Sequence, residues 1–330
     1  MICFKSFEFF QVEISTVFLS ILLAISKLSY CDCPISYEPW FTGPLLTPAP
    51  VNMDPDHPVI EPSLQFVSTY GSYNSGWGFE GSTNMWTIKP LIDFQMGFTK
   101  KIGLEVIVAA TINFKKGSSS ARFTDTIFRF GVQVFNDKKG TWIPDFRIDL
   151  QQAVPTGNYQ KLNTKKNGTD LSGNGSYQTG VLFNSQKTFY LPNHKLSIRS
   201  SVGYIFPAPV HVKGLNAYGG GRKTKGKVYP GQIFQVYLSG EYSLSDCWAI
   251  ISEWIYFQSG RNCFSGERGT QENGEPNSIN TFSSNQLSAT IEIERTFTSN
   301  LGMLVGVWGT VAGRNAPAFL SSFVSFLYVF

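Results

Sequence analysis

The sequence is sparing with charge and with histidine: charged side chains make up 15% of its 330 residues, and there are three histidines. Typical soluble chains carry about 25% charge, and a disordered chain needs high charge with little apolar content. Here 42% of residues are hydrophobic, so disorder is excluded. Long apolar runs are also missing: beyond residue 30 no stretch reaches the 18 or so residues of a helical membrane span. The net charge of +4 is too slight to draw a nucleic acid. Five cysteines at positions 3, 31, 33, 247 and 263 fit neither a disulfide framework nor a zinc-ligand spacing, so no metal or cofactor is expected.

What is abundant is aromatic and small: 49 aromatics and 31 glycines. The apolar run Val17 to Ile25, followed by Lys27 and Ser29, reads as the core of a secretory signal, so residues 1–33 form a signal-peptide region. Tyr30 stands where a lipoprotein signal needs a small residue before Cys31, which argues against lipidation. Residues 34–60 are proline-rich, with Pro34, Pro39, Pro44, Pro48, Pro50, Pro55 and Pro58, and Pro62 just beyond. Such a density excludes regular helix and paired strand. This segment is expected to be a periplasmic tether or a plug.

From residue 61 to 330 the pattern has a period of two. Ile102, Leu104, Val106 and Val108 alternate with Gly103, Glu105, Ile107 and Ala109, and Phe146, Ile148 and Leu150 alternate with Asp145, Arg147 and Asp149. The runs fall at 61–70, 86–97, 102–114, 124–135, 141–152, 174–187, 195–206, 231–242, 247–259, 282–297, 301–312 and 318–330. Soluble strands average about 5 to 6 residues, whereas a tilted membrane strand needs about 9 to 11. Twelve long strands, joined alternately by short turns and by polar loops of mostly 9 to 24 residues, predict an all-β, antiparallel up-and-down transmembrane barrel in the bacterial outer membrane. The chain ends on an aromatic strand and Phe330, which resembles the signal read by the barrel-assembly machinery.

Four segments carry a family resemblance: Gly43 to Pro48, Ile60-Glu61-Pro62 opening the first strand, Val154-Pro-Thr-Gly-Asn-Tyr159, and Gly173-Asn-Gly175. Together they resemble the outer-membrane family named for the MetA pathway of phenol degradation. That resemblance implies a transporter-like barrel for apolar or aromatic compounds, with no catalytic residues to carry over.

Enzymatic readings fail on the same map. His57, His194 and His211 lie in the proline-rich segment, a short turn and a long loop, and do not assemble the Ser, His and Asn set of an outer-membrane phospholipase or the Asp and His pairs of an omptin-like protease. Gly221 to Lys227 matches half of a phosphate-loop motif, but Val228 replaces the magnesium-binding Ser or Thr. Residues 207–230 read instead as a cationic outer loop, with Lys213, Arg222, Lys223, Lys225 and Lys227 and no acid, suited to anionic lipopolysaccharide or solutes.

Function is expected inside the barrel. The polar faces place Lys89, Asp93, Glu105, Asp125, Arg129, Asp145, Arg147, Asp149, Arg199, Glu241, Glu253, Glu292 and Glu294 toward the lumen. The bases can pair with acids of the second to seventh strands. Glu241, Glu253, Glu292 and Glu294 have no basic neighbour on their own face, so they form a cation-favouring or substrate-orienting patch. Twelve strands leave a narrow lumen that Tyr237, Ile251, Phe257 and Trp308 restrict. The sequence therefore predicts a channel or transporter for small solutes, apolar or aromatic ones included; the alternative is a structural or adhesive barrel whose loops bind partners. Expected partners are outer-membrane lipid and lipopolysaccharide, a small-molecule solute and, through Phe330, the assembly machinery. Oligomeric state is left open.

Overall fold

The computed structural model describes residues 42–192, 194–270, 275–279 and 282–330. The signal-peptide expectation and the first residues of the proline-rich segment lie outside them. Twelve strands build the wall: β1 (Val59–Tyr73), β2 (Phe79–Thr99), β3 (Ile102–Lys115), β5 (Thr126–Phe135), β6 (Asp145–Val154), β7 (Gln178–Tyr190), β8 (Lys195–Pro207), β11 (Ile233–Ser243), β12 (Trp248–Ser259), β14 (Ser284–Thr296), β15 (Leu301–Arg314) and β16 (Ala316–Val329). Four shorter strands lie beyond it: β4 (Ser118–Phe123), β9 (Val210–Lys213), β10 (Lys225–Tyr229) and β13 (Cys263–Glu267).

Each wall strand pairs antiparallel with its neighbours, and β1 pairs with both β2 and β16, which closes the sheet into a barrel with no free edge. Closure is what a bilayer demands, because hydrocarbon supplies no partner for an open strand's amides. The alternation seen in the sequence sets the two faces. On β12, Glu253 is 0% exposed while its neighbour Trp254 is 48% exposed, so the acid points inward and the indole outward. Phe66, Ile92, Phe130, Leu150, Phe183, Leu238 and Ile291 continue this outward apolar surface around the barrel. In water such a belt would be an aggregation surface; in lipid it is the stable arrangement.

The connections differ at the two ends as expected. Residues 100–101, 136–144, 191–194, 244–247 and 297–300 turn at one end, where the barrel's first and last strands also meet: the Phe330 amide donates to the Pro58 carbonyl at 2.9 Å. By the general plan of such barrels this end faces the periplasm.

At the opposite end the structure departs from the expected open loops. The first outer connection is only Asn74 to Gly78, because β1 and β2 stay paired past a bulge at Thr69/Gly71, and the Asn74 side chain accepts from the Gly76 and Gly78 amides at 2.9 and 3.0 Å. The cationic stretch is not open either: β9, β10 and β13 form a separate three-stranded sheet. Its buried side packs Val210, Val212 and Val228 with Tyr218 and Ile279 against Tyr159 and Phe264. The Tyr218 hydroxyl donates to the Asn174 carbonyl at 2.9 Å, and burial pushes its pKa up to about 12, so it keeps the proton this bond needs. Loops that the sequence presents as polar and solvated thus form a folded cap.

Candidate functional site

Register brings the inward charges together in two opposed groups. Glu105 on β3, Arg129 on β5 and Gln151 on β6 are consecutive cross-strand partners, and Asp149 and Arg147 lie beside them. Arg129 Nη1 is 2.5 Å from Glu105 and its Nε donates to Gln151 at 2.9 Å. Arg147 forks onto Asp149, with Nε at 2.6 Å and Nη2 at 2.9 Å, and reaches Glu105 at 3.4 Å. Asn184 on β7 donates to Asp149 at 2.7 Å. Buried charges are tolerable only when paired and hydrogen-bonded in this way.

The other group is acidic. Glu241 on β11, Glu253 on β12, and Glu292 and Glu294 on β14 are all at most 2% exposed. Among the described residues none of the four forms an ion pair. Three of them are answered instead by residues 42–53 of the proline-rich segment, which lie across the barrel interior; Glu292 takes the Leu45 amide. The Thr42 amide donates to Glu294 at 2.7 Å, the Leu46 amide to Glu253 at 3.0 Å, and Thr47 to Glu253 through its amide at 2.7 Å and its hydroxyl at 2.5 Å.

The carbonyls of the same segment meet the basic wall. Arg199 on β8 donates to the Thr47 carbonyl at 3.3 Å, Gln133 on β5 to that of Pro50 at 3.0 Å and Arg147 to that of Val51 at 3.0 Å. The Asn52 amide returns a bond to Gln133 Oε1 at 3.0 Å. The segment is therefore a strap whose N–H groups at Thr42, Leu45, Leu46 and Thr47 are met by carboxylates, that of Asn52 by an amide oxygen, and whose C=O groups at Thr47, Pro50 and Val51 are met by guanidinium and amide donors. Prolines at 44, 48 and 50 help, since each removes an amide that would otherwise need a partner in a closed interior.

Space for the strap comes from glycine. Gly97, Gly103 and Gly131 are successive cross-strand partners on β2, β3 and β5. A Cβ at Gly97 would stand 2.0 Å from the Met53 carbonyl oxygen, one at Gly103 2.6 Å from Asn52 Oδ1, and one at Gly131 2.6 Å from Arg147 Nε. Gly97 and Gly103 thus form a groove for the strap, and Gly131 leaves room for the Arg147–Asp149 pair beside it.

The sequence-predicted residues thus separate. Glu253, Glu294, Arg147 and Arg199 touch the strap. Glu292 touches it too, through the Leu45 amide; Arg129 holds the network behind it, and Glu241 is buried beside it. Asp145 and Asp125 do other work: Asp145 accepts the Asp137 amide at 2.8 Å and shapes the 136–144 turn, while Asp125, just before β5, accepts the Gly157 and Asn174 amides at 3.0 and 2.9 Å. That second clamp joins the two glycine-containing segments that carry the family resemblance, where a Cβ on Gly157 would come within 2.7 Å of the Gly173 Cα. Thr47, Asn52, Gln133 and the glycine row were not singled out by sequence; their only early signal was the proline density that excluded regular structure.

Toward the cap the inward register turns aromatic. Tyr237 packs edge-on against Phe257, with ring centroids 5.6 Å apart, and Trp308 against Phe319 at 4.7 Å. The Trp308 indole N–H donates to Ser288 at 3.0 Å. Ile251, Leu304 and Phe323 form an apolar cluster that receives Leu45 of the strap.

A closed twelve-stranded antiparallel barrel with an apolar outer belt is a bacterial outer-membrane protein. Among solved structures it resembles an outer-membrane channel from Pseudomonas putida F1, with a TM-score of 0.65 and 11% identity over 88% of this chain and 100% of that one. The β domain of the Bordetella autotransporter BrkA matches with a TM-score of 0.44 and 10% identity over 84% and 100% of the two chains. The translocator domain of NalP from Neisseria meningitidis gives 0.43 and 10% over 83% and 88%. At these identities the likeness is one of fold. No protein-family model matches the sequence, and no curated protein matches it closely.

Proposed function

We propose that the barrel is a narrow channel for small solutes, apolar and aromatic ones included, and that residues 42–53 close it at rest. The observation that carries this reading is the two-sided hold on the strap: carboxylates of β12 and β14 take its amides while Arg147, Gln133 and Arg199 take its carbonyls. A segment needed only as a link to β1 has no use for such a lining. The aromatic tier around Tyr237, Phe257, Trp308 and Phe319 supports passage of flat apolar solutes, and the resemblance to the MetA-pathway family points the same way. The fold shared with the Pseudomonas putida channel is consistent with it. Planar-bilayer recordings of the full chain and of a chain lacking residues 34–53 test the proposal. The full chain should be largely silent and the shortened one conducting; equal silence of both would mean that the interior is no pathway.

A further inference from the structure

The cap sheet has two unlike faces. Val210, Val212 and Val228 are spent in the cap core. The opposite face carries His211 and Lys213 from β9, Lys225, Lys227 and Tyr229 from β10, and a single acid, Glu267, from β13. Lys213 and Lys225 are direct cross-strand partners, and Lys227 is opposite His211. Like charges placed directly opposite each other on a sheet destabilise it, and among the described residues none of the three lysines is ion-paired. Glu267, directly opposite Lys225 on the other side, answers part of this charge, whereas Lys213 and Lys227 have no acid opposite them.

Its position relative to the membrane gives that charge a partner. β9 follows β8 and β10 precedes β11, and β8 and β11 are neighbours in the wall, paired from Leu196↔Tyr242 up to Ile205↔Ile233. The cap sheet thus continues this wall hairpin outward. Where the hairpin leaves the barrel it carries outward rings, Tyr204 at 40% and Phe206 at 51% exposed, with Tyr229 at 44% exposed at the base of the cap sheet. Aromatic rings of this kind mark the level of the lipid headgroups. Lys227, with Nζ 5.2 Å from the centre of the Tyr229 ring, is two residues further out, and Lys225 four. At about 3.3 Å per residue the lysines lie roughly 7 and 13 Å beyond Tyr229 along the strand. They therefore lie on the outer side of the aromatic level, next to the charged groups of the outer leaflet.

We propose that this face binds the phosphate groups of lipopolysaccharide. The lysines supply compact charges suited to phosphate, Tyr229 marks the interfacial level, and the bound lipid would relieve the repulsion between Lys213 and Lys225. The inference is independent of the channel reading, because the face lies outside the barrel.

The test uses the full folded protein in detergent and fluorescent lipopolysaccharide, with heat-modifiable migration as the check on folding. At about 1 kcal/mol per lysine near an anionic lipid surface, Lys213→Ala, Lys225→Ala and Lys227→Ala together should weaken binding about a hundredfold. The corresponding triple change to Arg should keep binding within a few-fold. The binding should also fall when the lipid is dephosphorylated. The proposal is overturned if the alanine triple binds like the native protein, or if dephosphorylated lipid binds as tightly as intact lipid. Equal loss from alanine at Lys115, Lys116 and Lys165 would also overturn it, since that would be an effect of total charge.

Discussion

Thr47 holds Glu253 at two points, through its amide at 2.7 Å and its hydroxyl at 2.5 Å, although 206 residues separate them in the chain. Hydrogen bonds to charged groups contribute about 1.5 to 3 kcal/mol each. Thr47→Val keeps the shape of the side chain and removes the hydroxyl bond. The open fraction in bilayer recordings should then rise about tenfold or more; a variant as silent as the native chain would show that this bond does not hold the strap.

Gly97→Ala tests the groove. Its added methyl meets a backbone oxygen of Met53 at 2.0 Å, which no rotamer change can relieve. The strap must shift, so the variant should conduct like the chain lacking residues 34–53 while its barrel still resists heat on gels. An unchanged closed state would show that the strap is not seated by the glycine row.

In the strap-free chain the Glu253 carboxyl, halfway along β12, loses the three strap donors and keeps Glu292 beside it. A fixed charge in a narrow lumen acts with little screening. Glu253→Gln in that background should reduce cation preference, seen as a reversal potential moving toward zero in a salt gradient. If the potential stays put, the acid serves only to hold the strap.

Cys263 provides an intrinsic marker of topology. It is exposed and unpaired on β13, whereas Cys247 at the opposite end is disulfide-bonded, so the two do not pair with each other. A membrane-impermeant maleimide should label intact cells through Cys263 and fail to do so in Cys263→Ser. Lys139→Cys in that background should react only after the outer membrane is permeabilised; labelling of both sites from outside would reverse the assigned orientation.

The wall was readable in the sequence because a membrane strand repeats every two residues for ten or more positions and must show lipid an unbroken apolar face. Glu253 and Trp254 illustrate how sharply that constraint assigns neighbours to opposite sides. The cap strands were hidden because Val210–Lys213 and Lys225–Tyr229 are only 4 and 5 residues long, too short for a period to stand out. Asp145 and Asp125 follow the inward alternation, yet their partners are turn and loop amides, a distinction that pattern alone does not make. The strap was least legible. Prolines say what Thr42 to Met53 does not form, but its place depends on side chains brought together only by closure of the sheet.

That closure also bears on how the chain assembles. The strap runs directly into β1, and β1 is one side of the seam with β16, the last strand of the chain. Threading a proline-studded segment into a finished cylinder would require it to pass the groups that later grip it. Laying it along the half-built trough of β5 to β14 before the seam shuts requires no passage. On this account the leader is a mandrel around which its own barrel is wrapped, and a chain deprived of it should assemble more slowly before it ever conducts differently.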